Sequence, residues 1–247
     1  MIKNTNGEER IAKIIARAGI CSRREAERLI AEGRVAYKGQ IIDTPAVKFF
    51  GMAGISVDGY PLEKAPSKLW LYNKPVGLIV SHQDEKGRET VFDYVSINER
   101  VISVGRLDKN TSGLLLLTND GAVARELELP KNNLERVYHV RVFGHLNLPQ
   151  MQKDLSKHTI IDGVTYRPVK IELEQSGENN HWLRLTISEG KNREIRRILN
   201  YYDLRISKLI RVQYGPFELG DLPVGKTREV KNWQKILKNN LTQTDFD

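Results

Sequence analysis

The residues best placed to do chemistry lie between two apolar runs. Val101-Ile102-Ser103-Val104 and Leu114-Leu115-Leu116-Leu117 have strand length, and the second is apolar on both faces, as a central buried strand requires. Between them runs the polar loop Gly105-Arg106-Leu107-Asp108-Lys109-Asn110-Thr111-Ser112-Gly113. It exceeds the roughly two to five residues that close a plain hairpin, and loops held by rigid strands are favoured places for reacting groups. Asp108 can serve there as a nucleophile or as a carboxylate that stabilises a cation. Asp108, Asn110, Thr111 and Ser112 can equally spend themselves on the loop's own turn hydrogen bonds. A second charged set stands further on: Arg193, Arg196, Arg197 and Asn200 share one helical stripe beside the apolar stripe Ile195, Ile198, Leu199 and Tyr202. One face packs and the other meets charge.

The rest of the composition narrows the chemistry. His82, His139, His145, His158 and His181 are dispersed without metal-ligand spacing, and one cysteine, Cys21, excludes an internal disulfide and a thiolate zinc cluster. Zinc-dependent base deamination loses support, and we expect no metal and no cofactor. Walker-type phosphate loops and the G-x-S-x-G elbow are missing as well. With 39 lysines and arginines against 31 acidic residues, the formal charge of +8 suits a polyanionic partner. Met1-Ile2-Lys3-Asn4-Thr5 leads into charged residues, with no apolar signal core and no apolar stretch of membrane-spanning length. The expectation is a soluble, cytoplasmic monomer with no membrane partner.

Several elements must position these groups. Ile11, Ile14, Ile15 and Ala18 recur at helical spacing from Glu8 to Ala18, with Gly19 as the stop. A second helix begins where Ser22 and Glu25 have capping-box spacing, buries Ala26, Leu29 and Ile30, and ends at Gly33. Short strands follow at residues 35–37, 40–42 and 55–57. Residues 1–62 thus read as one small domain, 63–67 as a polar, proline-bearing linker, 68–240 as a second domain and 241–247 as a loose tail. In the second domain, strand-like runs at 69–73, 78–81, 101–104, 114–118, 137–143, 169–173 and 182–187 alternate with few helices. The fold class is α+β: a small α/β domain, then a domain on a largely antiparallel mixed sheet.

The stretch Ala16 to Ala26, with Gly33-Arg34-Val35 and Val57-Asp58-Gly59, resembles the small RNA-binding domain first seen in ribosomal protein S-four. That resemblance turns the basic cluster Arg17, Arg23, Arg24, Arg28 and Arg34 from a solvated helix face into candidate phosphate contacts. Residues 105–121, reading GRLDKNTSGLLLLTNDG, resemble the signature of bacterial ribosomal-RNA pseudouridine synthases of the RsuA type. Asn73-Lys74-Pro75-Val76-Gly77, Thr90-Val91-Phe92-Asp93, Glu189 to Arg197 and Leu209-Ile210-Arg211 fit the same family, so the likeness covers nearly the whole chain.

The resemblance implies isomerisation of a uridine in folded RNA. The bond from ribose to uracil nitrogen breaks, the base turns, and ribose rejoins at C5 without redox change. Asp108 takes the place of the catalytic carboxylate, attacking either the uracil ring or the sugar carbon, and Arg196 that of the cation keeping it ionised. A stacked uridine must be swung out first. The family likeness gives Arg106 the stabilisation of that flipped state and Tyr138 the stacking on uracil, with Leu209 as apolar wall. On strand pattern alone Tyr138 reads as a core aromatic; on the helical stripe Arg193 and Arg197 read as a basic face that is solvated or lies on RNA phosphates. Lys74-Pro75 reads as shaping a turn, its lysine free to touch RNA or a carboxylate. Where many members carry His-Gln, this chain has Arg193-Glu194, a form of the branch acting on large-subunit RNA, so the expected partner is 23S ribosomal RNA or a ribosome assembly intermediate. Two rivals stand beside this reading: a noncatalytic RNA-binding factor of the same fold, and a metal-dependent nuclease, for which clustered carboxylates are lacking.

Overall fold

The computed structural model describes residues 7–82 and 84–243. The chain up to Lys68, with Ile97–Ile102 and Thr118–Gly121, forms one compact unit; Leu69–Ser96, Ser103–Leu117 and the chain from Ala122 onward form the second.

The first unit runs β1 (Glu9–Arg10), α1 (Ile11–Arg17), α2 (Arg23–Ala31), β2 (Val35–Tyr37), β3 (Gln40–Ile41), β4 (Lys48–Phe49), β5 (Ile55–Val57) and β6 (Tyr60–Pro61). The apolar stripes of α1 and α2 do what their spacing dictates: Ile11, Ile14, Ile15, Ala26, Leu29 and Ile30 close over Val35, Ile55, Val57 and Leu62. Each isoleucine or leucine buried there contributes about 1.5–3 kcal/mol. Helix α1 starts later than its periodicity suggests because Glu9 and Arg10 pair with Phe49 and Lys48. Ser22 caps α2 by accepting from the Glu25 N–H at 3.1 Å, while the Glu25 carboxylate turns to Arg28. Residues 62–68 have no regular structure, and the Asn119 amide donates to Pro66 O at 3.0 Å.

The second unit contains β7 (Leu69–Lys74), β8 (Ile102–Val104), β9 (Ser112–Thr118), α3 (Gly121–Glu128), β10 (Arg136–Phe143), α4 (Leu148–Leu155), β11 (Thr159–Ile161), β12 (Val164–Tyr166), β13 (Lys170–Ser176), β14 (Asn180–Ile187), α5 (Glu194–Tyr201), β15 (Arg205–Tyr214), β16 (Phe217–Glu218), β17 (Thr227–Glu229) and α6 (Trp233–Gln243). Nine strands build one sheet in the order β13-β14-β10-β15-β9-β7-β17, with β16 on β15 and β8 on β9. The fold is α+β and its sheet mostly antiparallel. Strands β9 and β15 run parallel, with Ser112 opposite Ile210 and Gly113 opposite Arg211. Leu114 to Leu117 are fully buried, as a strand apolar on both faces must be.

At that seam the residue type is forced. Gly113 has φ +97°, and a Cβ there would clash with Arg211 O, well inside van der Waals contact distance, and stand 2.8 Å from Arg211 N. Only glycine lets the two backbones approach.

Three sequence expectations need correction. Residues 78–81 form only an isolated bridge, Ile79 to Thr90, because Pro75 and Gly77 (φ +97°) turn the chain into a loop that Asp84 ties to Lys86 and Arg88. Strand β15 went unrecognised because lysine and arginine interrupt its alternation. Residues 241–243, expected as loose tail, continue α6, and 244–247 lie outside the described residues.

Candidate active site

A cleft of about 890 Å³ opens in the second unit. One wall is sheet: Arg136 and Tyr138 on β10, Leu209 and Arg211 on β15, and Ile187 on β14. The loop after β8 supplies Arg106 and Asp108, and the turn into α5 with its first residues supplies Arg193, Glu194 and Arg196. Nine lysines and arginines against five carboxylates line it, a balance suited to a polyanion.

The Asp108 loop is held from several sides. Gly105 (φ +65°) donates its N–H to Glu128 Oε1 at 2.6 Å, and Gly77 N–H reaches Lys109 O at 2.8 Å. Below it lies Lys74, wholly buried, whose Nζ donates to Thr111 O at 3.0 Å and Pro75 O at 2.9 Å. Burial lowers the Lys74 ammonium to about 8, against the opposing pull of the Asp108 charge. Lys74 thus anchors loop backbone, where sequence reading had it free to touch RNA or a carboxylate. Nothing in its spacing announces that burial.

The Asp108 side chain is half-buried, and Arg193 Nη1 and Arg196 Nε stand 3.6 and 3.5 Å from its Oδ2. Thr111 N–H closes the turn on the Asp108 backbone carbonyl at 3.0 Å, so the turn leaves the carboxylate to the arginines. Arg196 is clamped to the same loop: its Nη2 donates to Asn110 O at 2.8 Å and Thr111 Oγ1 at 3.2 Å. Its buried Nε has the ion pair but no acceptor in hydrogen-bond geometry. Burial lowers the Arg196 guanidinium's pKa, countered by Asp108, and it remains a cation. Helix α5 explains the pair: Ile195, Ile198 and Leu199 are buried, which turns Arg196 toward the loop, while Arg193 in left-handed conformation (φ +53°) ends the preceding turn. Arg193 therefore stands beside the carboxylate, a place that spacing alone did not give it.

Tyr138 is 8% exposed and opposes Arg211 in the β10–β15 ladder; Leu209 is buried on the same wall. Arg106 is exposed at the cleft. Glu194 is buried and accepts the Lys191 N–H at 2.9 Å. Burial first, with Glu189 adding to it, raises its carboxyl to about 7 against the Lys191 N–H and the charges of Lys191 and Arg136. Sequence reading gave Glu194 no task.

In the first unit the basic cluster divides. Arg17 pairs with Glu9, Arg28 with Glu25 and Glu32, and Arg34 grips Asp58 through two bonds of 2.7 Å. Arg23 and Arg24 are exposed at the start of α2 and enter none of the ion pairs among the described residues.

A basic cleft that holds a carboxylate between two guanidiniums beside a buried tyrosine is the setting for chemistry on a nucleic-acid base. Comparison with known proteins agrees. The RNA pseudouridylate synthase family model matches residues 68–201, and that of the S4 domain matches 9–49. A Rickettsia felis protein named as an RNA pseudouridine synthase is 48% identical over 93% of this chain and 99% of its own. Ribosomal large subunit pseudouridine synthase B of Bacillus subtilis is 37% identical over 90% of this chain and 92% of its own. A crystal structure of a pseudouridylate synthase superposes with TM-score 0.64 and 25% identity, covering 94% of this chain and 99% of that one. The chain belongs to the RNA pseudouridylate synthase family and carries an S4 RNA-binding domain; it is an isomerase that converts uridine to pseudouridine in RNA. Among the described residues no helix is long and apolar enough to cross a membrane.

Proposed function

We propose that this chain isomerises a uridine of 23S ribosomal RNA, with Asp108 as the catalytic carboxylate. The observation that carries the reading is the Asp108 carboxylate beside Arg193 and Arg196 in a cleft whose sheet wall holds Tyr138 and Leu209. Uridine flips out of its stack and enters that cleft. Tyr138 stacks on the ring, Leu209 forms apolar wall, and Arg106, exposed at the opening, stabilises the flipped state. Asp108 attacks the sugar or the ring, the bond from C1′ to N1 breaks, and C1′ rejoins at C5. One proton leaves C5 and one is gained at N1, so the product is an isomer and no redox cofactor enters.

The large-subunit target is supported by the names of the Bacillus relative and by the Lys191-Asn192-Arg193-Glu194 form of the turn. Arg17, Arg23, Arg24, Arg28 and Arg34 of the S4 domain, taken as residues 1–62 with 63–67 as linker to a catalytic domain at 68–240, bind phosphates of the same RNA. The protein acts in the cytoplasm as a monomer, on free 23S RNA or an assembly intermediate.

Asp108→Asn tests this directly, since it removes the reacting charge at almost constant volume. Unmodified rRNA transcript is incubated with either protein and pseudouridines are mapped. Wild type converts one or a few uridines of the large-subunit transcript; the variant converts none while binding the RNA within about twofold, an RNA affinity set mainly by phosphate contacts. Wild-type turnover by Asp108→Asn overturns the assignment, and a wild type that leaves every uridine unchanged supports the noncatalytic binder.

A further inference from the structure

Arg211 has no place in the mechanism so far, yet it is 3% exposed and lines the cleft. Its Nε donates to Leu114 O at 2.7 Å, and its buried Nη2 has no hydrogen-bond partner. None of the ion pairs among the described residues includes it. The guanidinium packs on the Tyr214 ring, 5.0 Å from the centroid, and Arg136 packs on the same ring at 4.7 Å. Tyr214 spends its hydroxyl elsewhere, accepting from Arg136 Nη2 at 2.8 Å and donating to Leu127 O at 3.0 Å. A buried cation without a counter-charge opposes folding, and it is tolerated where an anion is to arrive.

Neighbours identify that anion. Arg211 opposes Tyr138 across the ladder on one side and Gly113, which has no side chain, on the other; Leu209 precedes it by two residues and so shares its face. A tyrosine and a leucine make walls for a planar base, whereas a backbone phosphate suits the exposed Arg106 and Arg193. Neutral uridine brings no charge to this place. Breaking the C1′–N1 bond does: its electron pair goes to N1 and spreads to O2 and O4, leaving a uracil anion while C1′ bonds to Asp108. If Asp108 attacks the ring at C6 instead, the displaced pair resides on O4. On the return, C5 supplies the pair that bonds C1′, Asp108 departs with its own, C5 loses its proton and N1 takes one.

We propose, on the basis of the function above, that Arg211 is a further catalytic residue that stabilises the negative charge developing on uracil as its bond to ribose breaks or its ring is attacked. The cation contributes to the transition state and little to the bound substrate, which is how charge stabilisation raises kcat.

The test uses full-length protein and rRNA transcript carrying tritium at uridine C5, where isomerisation releases the label. Arg211→Met should lower the single-turnover rate about 10²–10³-fold, the usual effect of losing one preorganised donor. Its RNA affinity should stay within twofold and its melting curve cooperative; Arg211→Lys should recover part of the rate. A folded Arg211→Met with wild-type rate overturns the proposal. Should Arg211→Met fail to fold, with Leu114 O left unpaired, a second measurement decides. RNA with 6-azauridine at the target, a base that ionises near neutral pH, is bound by Asp108→Asn protein with Arg211 intact. Affinity should tighten about tenfold as the base ionises, the worth of a charge-assisted hydrogen bond; a flat profile overturns the proposal. A wild type that releases no tritium refutes the proposed function itself, whereas release by wild type with an unaltered Arg211→Met removes Arg211 alone.

Discussion

Replacing Arg196 separates what its charge does from what its shape does. Nη2 donates to Asn110 O at 2.8 Å and Thr111 Oγ1 at 3.2 Å, and Nε lies 3.5 Å from Asp108 Oδ2. Hydrogen bonds to a charged group contribute about 1.5–3 kcal/mol each. The ion pair is partly screened, since the Asp108 side chain is 34% exposed, and adds at most about 1 kcal/mol. Arg196→Met removes all three, and the loop then loses its attachment to α5 while keeping those to Lys74, Gly77 and Glu128. If about half of the lost energy, about 2–3.5 kcal/mol of the about 4–7 kcal/mol removed, is needed to hold Asp108 in reacting position, the rate falls about 30- to 400-fold. Arg196→Lys keeps a cation, but a single ammonium cannot span Asp108 and both loop acceptors as the planar fork does, so its rate should fall about tenfold. Single-turnover tritium release at saturating protein measures both, with melting curves as the control for folding. A folded Arg196→Met within threefold of wild type refutes the reasoning, and equal rates for Lys and Met would show that the cation itself does nothing.

Two further expectations concern pH and salt. Glu194, with its carboxyl raised from 4.5 to about 7, binds more protons in the native than in the unfolded state across that window, so it costs stability as pH rises from 4.5 to 7, by about 3 kcal/mol in full. Glu194→Gln keeps an acceptor for the Lys191 N–H and abolishes the titration. Urea melts should therefore show the variant more stable than wild type at pH 8 and equal to it near pH 4.5, and a pH-independent difference would sink the account. For RNA binding, Arg23→Ala with Arg24→Ala should flatten the log-log salt slope by about 1.4, two single-strand phosphate contacts. Arg34→Ala should change the slope less, because Asp58 already holds that guanidinium; the reverse order would reassign the phosphate contacts.

The sequence made legible whatever depends on local periodicity. The stripes of α1, α2 and α5, the buried strand Leu114 to Leu117 and the polar loop beside it all follow from spacing, because burial of one face is a local requirement. Strand β15 was hidden for the opposite reason: Lys208 and Arg211 break the pattern, and only pairing with both β10 and β9 makes the segment a strand. Lys74, Glu194 and Arg211 were hidden in the same way. A charged side chain is ordinarily exposed, and no spacing rule announces that tertiary packing will enclose this one.

Two of those buried groups, Lys74 and Arg211, also show how the loop acquires its geometry. Gly113 is the second residue of β9, and its missing side chain lets β9 run against β15 with Arg211 opposite. Arg211 donates back across the seam to Leu114 O, and Lys74 donates to Thr111 O, so both ends of the segment 111–114 are fixed by buried cations on other strands. Arg196 adds a third hold at Asn110 and Thr111. A carboxylate on so short and so closely tied a loop has little freedom to collapse onto its neighbours. It stays 3.5 and 3.6 Å from two guanidiniums, close enough for their charge and without the bidentate bonds that would occupy its lone pairs. Buried positive charge here is thus structural and electrostatic at once: Arg196 and Arg211, which hold the loop, also line the cleft and give it positive charge.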